Sequence, residues 1–305
     1  MQRAPGVDRR PIGVFDSGIG GLTVIRALMR RLPAERIVYL GDTARVPYGT
    51  KSRDTIIRYS LENARFLATH QVKAMVVACN TSASYALGIL RREYRDIPMI
   101  GVIEPGAQTA VRKTRRGVIG VIGTAATVRS GAYTRTILRC AGGRRIRVVA
   151  AACPLFVPLI EEGWADRVPR ELRPAHRPHR NPDDAEYLLR INHEHIIRLV
   201  ASEYLLPLKR MRIDTLVLGC THYPAIKDIL QQVIGRDVAL VDSAETTAEH
   251  VATALEQRGC LNQGSGQGGA LFCVTDDPVR FRRIGAGLLQ RDPGRVRLVT
   301  VEGAA

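Results

Sequence analysis

Along the chain, short apolar runs alternate with longer stretches in which apolar residues recur every three or four positions. The runs IGVF (12–15), IVYL (37–40), AMVVA (74–78) and MIGVI (99–103) have strand length and no polar alternation, as strands buried on both faces require. Amphipathic stretches near 21–31, 52–70 and 82–95 predict helices between them. Such alternation implies parallel strands joined by crossover helices, so the chain reads as α/β.

The second half repeats this order. GVIGVIG (117–123) is followed by a helix opening at SGAYTRTILRC (130–140), the strand IRVVAA (146–151), a helical stretch near 185–205 and the strand TLVLG (215–219). IGVFDSGIGG resembles IGVIGTAATV in pattern, and in each half the third strand ends on a cysteine, which points to a weak internal duplication. The expected architecture is two similar doubly wound parallel-sheet domains, related by a pseudo-twofold, with the site in the cleft between them. Residues 1–103 plus 243–305 would form the first and carry Cys79; 104–242 would form the second and carry Cys220. An exposed insertion rich in proline, arginine and histidine interrupts the second around 164–190, and NQGSGQGG (262–269) has the composition of a linker turning outward after Gly259.

Ligands of open α/β sheets bind beyond the carboxyl ends of the strands. The residues there are DSG, GDT, CNT and CTH, which place Asp16, Asp42, Cys79 and Cys220 at that edge. The six cysteines are too sparse for a disulfide framework, no C-x-x-C pair occurs, and the histidines lack zinc-site spacing, so free thiols and no structural metal are expected. Cys140, Cys153, Cys260 and Cys273 read as small buried hydrophobes. Cys79 and Cys220 differ, because each stands between a strand and a helix. Asn80, Thr81 and Ser82 can cap the helix after Cys79, and Pro224 suits the first turn after Cys220. First-turn amides and the helix dipole would lower a thiol pKa from about 8.5 toward the physiological range.

One activated thiol suggests a nucleophile or redox centre; two facing each other suggest a disulfide or an acid–base pair. Asp16 and His222 add one titratable neighbour for each thiol, an arrangement suited to proton transfer from two opposite faces. Gly18, Gly20 and Gly21 form an incomplete dinucleotide fingerprint, better read as a tight strand–helix junction, with a nicotinamide or flavin enzyme as the alternative.

Composition narrows the class further. With 305 residues, 45% hydrophobic and 24% charged, the chain can bury sizeable cores. It has no apolar run long enough to span a membrane and no secretory-type leader, so a cytoplasmic protein is expected. The net charge of +16, from 45 Lys+Arg and 29 Asp+Glu, favours polyanions. Those charges are mostly arginines scattered along helices, and aromatic residues are only 5%, so the basic surface reads as solvated; a nucleic-acid or protein partner engaged through it or through the insertion is the alternative.

The segments IGVFDSGIGGLTV (12–24), YLGDTARVPYGTKS (39–52), VVACNTSAS (76–84), GVIGTAATVRSGAY (120–133), CPLFVPLIEEG (153–163) and LVLGCTHYP (216–224) resemble, in order, the signature segments of the cofactor-independent aspartate/glutamate racemases. The insertion and the approach MQRAPGVDRR depart from that pattern but spare the motifs. The resemblance implies interconversion of L- and D-glutamate without pyridoxal phosphate or metal, supplying D-glutamate for bacterial peptidoglycan, by a homodimer. It implies that Cys79 and Cys220 alternate as thiolate base and thiol acid, assisted by Asp16 and His222. By matching motif, Asp16, Ser17, Tyr48, Gly49, Asn80, Thr81, Thr221 and His222 line the substrate. Glu161 is a further acid–base helper on this reading and a surface helix carboxylate on the alternative. Aspartate is the rival substrate; the histidine at 222, where aspartate racemases tend to carry glutamate, favours glutamate.

Overall fold

Among the described residues every strand pair is parallel. In this computed structural model the described residues are 8–162, 185–264 and 266–301, those from 185 to 192 by their backbone alone. The first stretch runs β1 (Ile12–Asp16), α1 (Leu22–Arg31), β2 (Ile37–Gly41), α2 (Arg53–Ala68), β3 (Ala74–Val77), α3 (Asn80–Tyr85), α4 (Leu87–Glu93) and β4 (Met99–Gly101). The second runs α5 (Ile103–Lys113), β5 (Val118–Gly123), α6 (Ala125–Ser130), α7 (Ala132–Cys140), β6 (Arg147–Ala152), α8 (Phe156–Glu161), α9 (Ala185–Arg210), β7 (Thr215–Gly219), α10 (Lys227–Ile234) and β8 (Ala239–Asp242). The chain then adds α11 (Ser243–Gln257), β9 (Ala270–Val274), α12 (Pro278–Leu289) and β10 (Val296–Leu298).

The first sheet has the order β10-β9-β2-β1-β3-β4 and the second β6-β5-β7-β8. With β9 and β10 set aside, the two orders coincide strand for strand, β1 matching β5 and β3 matching β7. That correspondence carries the duplicated pattern of the sequence into topology. All residues of β1, β2, β3 and β7 are buried, which explains their unbroken apolar runs. Each fully buried aliphatic side chain there contributes about 1.5–3 kcal/mol. Among the described residues, no helix is long and apolar enough to cross a membrane.

Several expectations need correction. The strand read as 99–103 stops at Gly101, because Ile103 opens α5; Pro105 sits in that helix's first turn, where its missing N–H costs nothing. The helix read as 82–95 starts at Asn80 and is split into α3 and α4 at Ala86. Cys153 and Cys273 are buried as read, but Cys140 and Cys260 are only half-buried. The segment 262–269 does not turn outward. Asn262 N–H donates to Glu35 Oε1 at 2.7 Å and Gly268 N–H to the Pro33 carbonyl at 2.8 Å. Gly268 passes so close that a Cβ there would lie 1.9 Å from the Glu35 carbonyl oxygen, so its glycine serves close approach rather than flexibility. The insertion placed at 164–190 lies outside the described residues, apart from the backbone that begins α9.

Candidate functional site

Both halves end their third strand on a thiol. After β3, Cys79 takes extended backbone angles (φ −64°, ψ 116°) and is itself the cap of α3, its Sγ accepting the Ser82 N–H at 3.5 Å. Asn80, Thr81 and Ser82, read as caps, form instead the first turn of the helix. After β7, Cys220, Thr221 and His222 lead into a 3-10 turn, Tyr223–Ile226, with Pro224 at its start, and then α10. Each of the two cysteines is 5% exposed.

The halves interlock at these strand ends. Asp16, which closes β1, accepts a hydrogen bond from Thr221 Oγ1 at 3.3 Å. Thr124, which follows β5, lies 3.0 Å from Thr81 Oγ1 to Oγ1, and Thr127 lies 3.1 Å from the same hydroxyl. The first-strand end of each half thus meets the third-strand end of the other. Thr23, at the start of α1, donates to the Thr221 carbonyl at 2.9 Å. At Gly20 a Cβ would lie 2.4 Å from both His222 Nδ1 and Thr221 Oγ1. Gly20 therefore admits the other half's Thr221–His222 turn, in keeping with a tight junction rather than a dinucleotide loop.

Around the thiols the candidate residues fall into place unevenly. His222 Nδ1 lies 3.8 Å from Cys220 Sγ, and its Nε2 lies 2.9 Å from Glu161 Oε1. Glu161 belongs to this cluster and is not a surface carboxylate, its side chain being 14% exposed. Ser17, Asn80 and Thr81 are buried at the seam. Tyr48 is buried too, but its hydroxyl is committed elsewhere: it donates to Asp42 and accepts from Asn63 Nδ2 at 3.0 Å. Tyr48 and Gly49 nonetheless reach the other half, since a Cβ on Gly49 would lie 2.6 Å from Thr124 Cβ. Asp42 is occupied structurally, gripped by Arg45 Nε at 2.8 Å and by Thr275 Oγ1 at 3.0 Å.

Three further residues join the site. Tyr133, on α7, donates its hydroxyl to Asn80 Oδ1 at 2.6 Å, and its ring packs against Gly219 beside Cys220. Asn80 Nδ2 is buried and has no partner among the described residues, a donor held ready. Thr124 and Thr127 bracket Thr81, as above. Thr124 occupies the position after β5 that matches the end of β1, a clue present in the duplication; nothing local marks Tyr133.

Electrostatics overturn one expectation. Burial, with the neighbouring Asp16 charge, pushes the Cys79 thiol up to about 11, outweighing the Ser82 N–H and the Ser17 and Ser82 hydroxyls that favour the thiolate. Desolvation thus wins over the short helix's first-turn amides. For His222, burial disfavours charge, yet Cys220 and Glu161 together raise it well above its ordinary value. Glu161 is lowered despite its burial, through His222 and then Arg280. Burial raises Asp16, against the opposing pull of His222 and of the Gly21 and Gly18 amides. Among the described residues no group of three His, Cys, Asp or Glu is placed to hold a metal ion.

Two buried thiols thus stand at matched strand ends of a duplicated α/β frame, Cys79 beside Asp16 and Cys220 beside the His222–Glu161 pair. The chain matches the Asp/Glu/Hydantoin racemase family over residues 12–189 and belongs to it. It is 45% identical over 293 residues to the glutamate racemase of Geobacter metallireducens, covering 96% of this chain and 97% of that protein. Among solved structures it is similar to the glutamate racemase of Francisella tularensis in complex with D-glutamate (TM-score 0.81, 37% identity, 97% of this chain and 99% of that one). The Thermus thermophilus glutamate racemase in complex with beta-chloro-D-alanine is similar as well (TM-score 0.77, 43% identity, 97% and 98% covered).

Proposed function

We propose that this protein interconverts L- and D-glutamate by proton transfer at Cα between the thiols of Cys79 and Cys220. The observation that carries the proposal is the pairing of these buried thiols, each ending the third strand of its own sheet at one shared seam. Inverting a carbon centre requires a base on one face and an acid on the other, and the roles must exchange in the reverse reaction. Two groups of the same chemical type satisfy that symmetry. The kinship to glutamate racemases supports the substrate.

In this mechanism the thiolate of one cysteine removes the α-proton while the thiol of the other delivers one to the opposite face. Asn80 Nδ2, with Ser17, Thr81 and Thr221, holds the carboxylates and ammonium. Thr124, from the second half, and the Tyr48–Gly49 backbone, from the first, complete that cradle. His222, held charged by Cys220 and Glu161, presents its Nδ1 to the Cys220 sulfur. Cys79, with its raised pKa, rests as a thiol, and the substrate ammonium lowers the cost of ionising it. Aspartate is shorter by one methylene, a difference worth about 1–3 kcal/mol in binding.

The proposal includes a cytoplasmic homodimer that supplies D-glutamate for peptidoglycan, and domain limits of 1–103 plus 243–305 and 104–242, which the strand membership of the two sheets supports. Incubating the purified protein with L-glutamate in D2O tests the reaction. Optical rotation should decay to zero as deuterium enters Cα, L-aspartate should barely react, and Cys79→Ser or Cys220→Ser should lower turnover by about 10²–10⁴-fold. Preference for aspartate would overturn the substrate, and near-normal turnover in either variant would overturn the two-thiol mechanism.

A further inference from the structure

The racemase site leaves the net charge of +16 unexplained. Although the arginines are scattered in sequence, folding gathers several of them at one place, the amino-terminal edge of the second sheet. Arg115 and Arg116 precede β5, Arg145 precedes β6 and Arg147 opens it, Arg212 precedes β7 and Arg236 precedes β8, and all six are exposed.

The parallel register brings their loops side by side: Val118 pairs with Arg147, Ile119 with Thr215, and Thr215 with Ala239. The loops are also tied to one another. Arg147 N–H donates to the Gly117 carbonyl at 2.7 Å, Arg116 Nη2 to the Ile213 carbonyl at 3.4 Å, and Ala239 N–H to the Asp214 carbonyl at 2.9 Å.

Little negative charge offsets this edge. Asp214 spends its carboxylate on Thr114 Oγ1 at 2.6 Å and on the Arg115 and Arg116 amides at 2.8 and 2.5 Å. Asp237 is the other acid there, and among the described residues none of the six guanidiniums forms an ion pair. A predominantly positive surface of planar forks suits phosphate oxygens, which such groups engage bidentately. The loops contain no aromatic residue, so bases have nothing to stack on, and the fit is to the backbone of a duplex rather than to single strands.

We propose that this edge binds the phosphate backbone of double-stranded nucleic acid without sequence preference. The surface lies at the strand end opposite Cys220, roughly 15 Å away along β7 at about 3.3 Å per residue, so a duplex and a glutamate can be held together.

The test is fluorescence anisotropy of a labelled random-sequence DNA duplex titrated with the full chain over a range of NaCl concentrations. A triple variant, Arg145→Ala with Arg212→Ala and Arg236→Ala, is compared with a control triple, Arg9→Ala with Arg36→Ala and Arg258→Ala, which removes equal charge from the corresponding edge of the first sheet. The proposal expects binding at low salt and a log–log salt slope that falls by about 2–3 in the first triple, at roughly 0.9 per lost phosphate contact, and stays unchanged in the control. Racemisation of glutamate should be the same in all three proteins. Absence of binding at about 50 mM salt would overturn the proposal. So would equal losses in both triples, which would mean that net charge alone attracts the duplex. Tighter binding to phosphatidylserine vesicles or to polyglutamate than to the duplex, at the same salt, would overturn it in favour of a lipid or protein partner.

Discussion

Glu161 Oε1 lies 2.9 Å from His222 Nε2, while the other nitrogen of the same ring faces the Cys220 thiol at 3.8 Å. A carboxylate, an imidazole and a thiol are thereby joined in a line within the buried seam. The ring stands between the carboxylate and the thiol.

His222 is raised above its ordinary value, against burial, by Cys220 and Glu161, so it stays charged at pH values where a free histidine is neutral. Glu161→Gln should lower kcat/KM about tenfold at pH 8 and less at pH 6, where the ring is protonated in either protein. The loss must be equal in both directions, since enantiomers have an equilibrium constant of one. The sign for stability follows from linkage: the raised histidine contributes fully below its unfolded pKa and loses that contribution as pH rises through its folded one. The lowered Glu161 contributes above its unfolded pKa and loses its contribution as pH falls through its folded value. Melting temperature should therefore exceed that of the variant most between those limits. Superimposable pH–rate and melting profiles for the two proteins would rule out the relay.

Cys79 is pushed up to about 11 by burial and by Asp16. In the free protein, iodoacetamide labelling of the Cys79 peptide, followed by mass spectrometry, should increase with pH through that value. Saturating D-glutamate at pH 8 should block labelling sterically. A half-maximal rate near pH 8.5 in the free protein would show that the helix amides outweigh desolvation after all.

That contest of terms illustrates what was legible in the sequence. IGVFD and TLVLG announce themselves because strands buried on both faces have no polar alternation, and the cysteines that end AMVVA and TLVLG are visible as breaks in apolar runs. The cap geometry at Cys79 could be read in outline, but its pKa depends on surrounding burial, which no local pattern encodes. The same holds for Tyr133, whose partner Asn80 is distant in sequence and sits in the other half. VRL in β10 is a partly exposed edge strand of three residues, too short and too polar to show periodicity. NQGSGQGG has the composition of a linker, yet Gly268 is packed against Glu35; composition records permitted backbone conformations and not the contacts that select one.

Tyr133 fixes the amide of Asn80 by donating to its Oδ1, which leaves Nδ2 buried and, among the described residues, without a partner. Tyr133→Phe keeps the ring against Gly219 and removes only the hydroxyl. Leaving Oδ1 without its donor costs about 1–3 kcal/mol, so KM for both enantiomers should rise about tenfold with a smaller change in kcat. Thermal unfolding should shift little. A variant with unchanged KM and a lowered melting temperature would assign Tyr133 a purely structural part.

At the opposite end of the first sheet, Lys73 Nζ lies 2.6 Å from Glu35 Oε2, and their side chains are 0% and 1% exposed. The ammonium also donates to the carbonyls of Asp8 at 2.9 Å and Cys260 at 2.7 Å, so one buried charge ties the entry to β1, the turn before β2 and the segment after α11. Lys73→Met would strand the Glu35 carboxylate, whose Oε2 has no other donor among the described residues, and breaking such a pair costs about 3–5 kcal/mol. For a chain of this size that corresponds to a fall in melting temperature of about 5–8 °C. The double variant Glu35→Met with Lys73→Met removes both charges and should recover most of the loss, because apolar replacement of a buried pair is often neutral or better. Both proteins should racemise glutamate normally at 25 °C, since the pair sits where β3 begins and Cys79 where it ends. If the double variant melted as low as the single one, the pair would owe its worth to the backbone carbonyls that Lys73 holds rather than to Glu35.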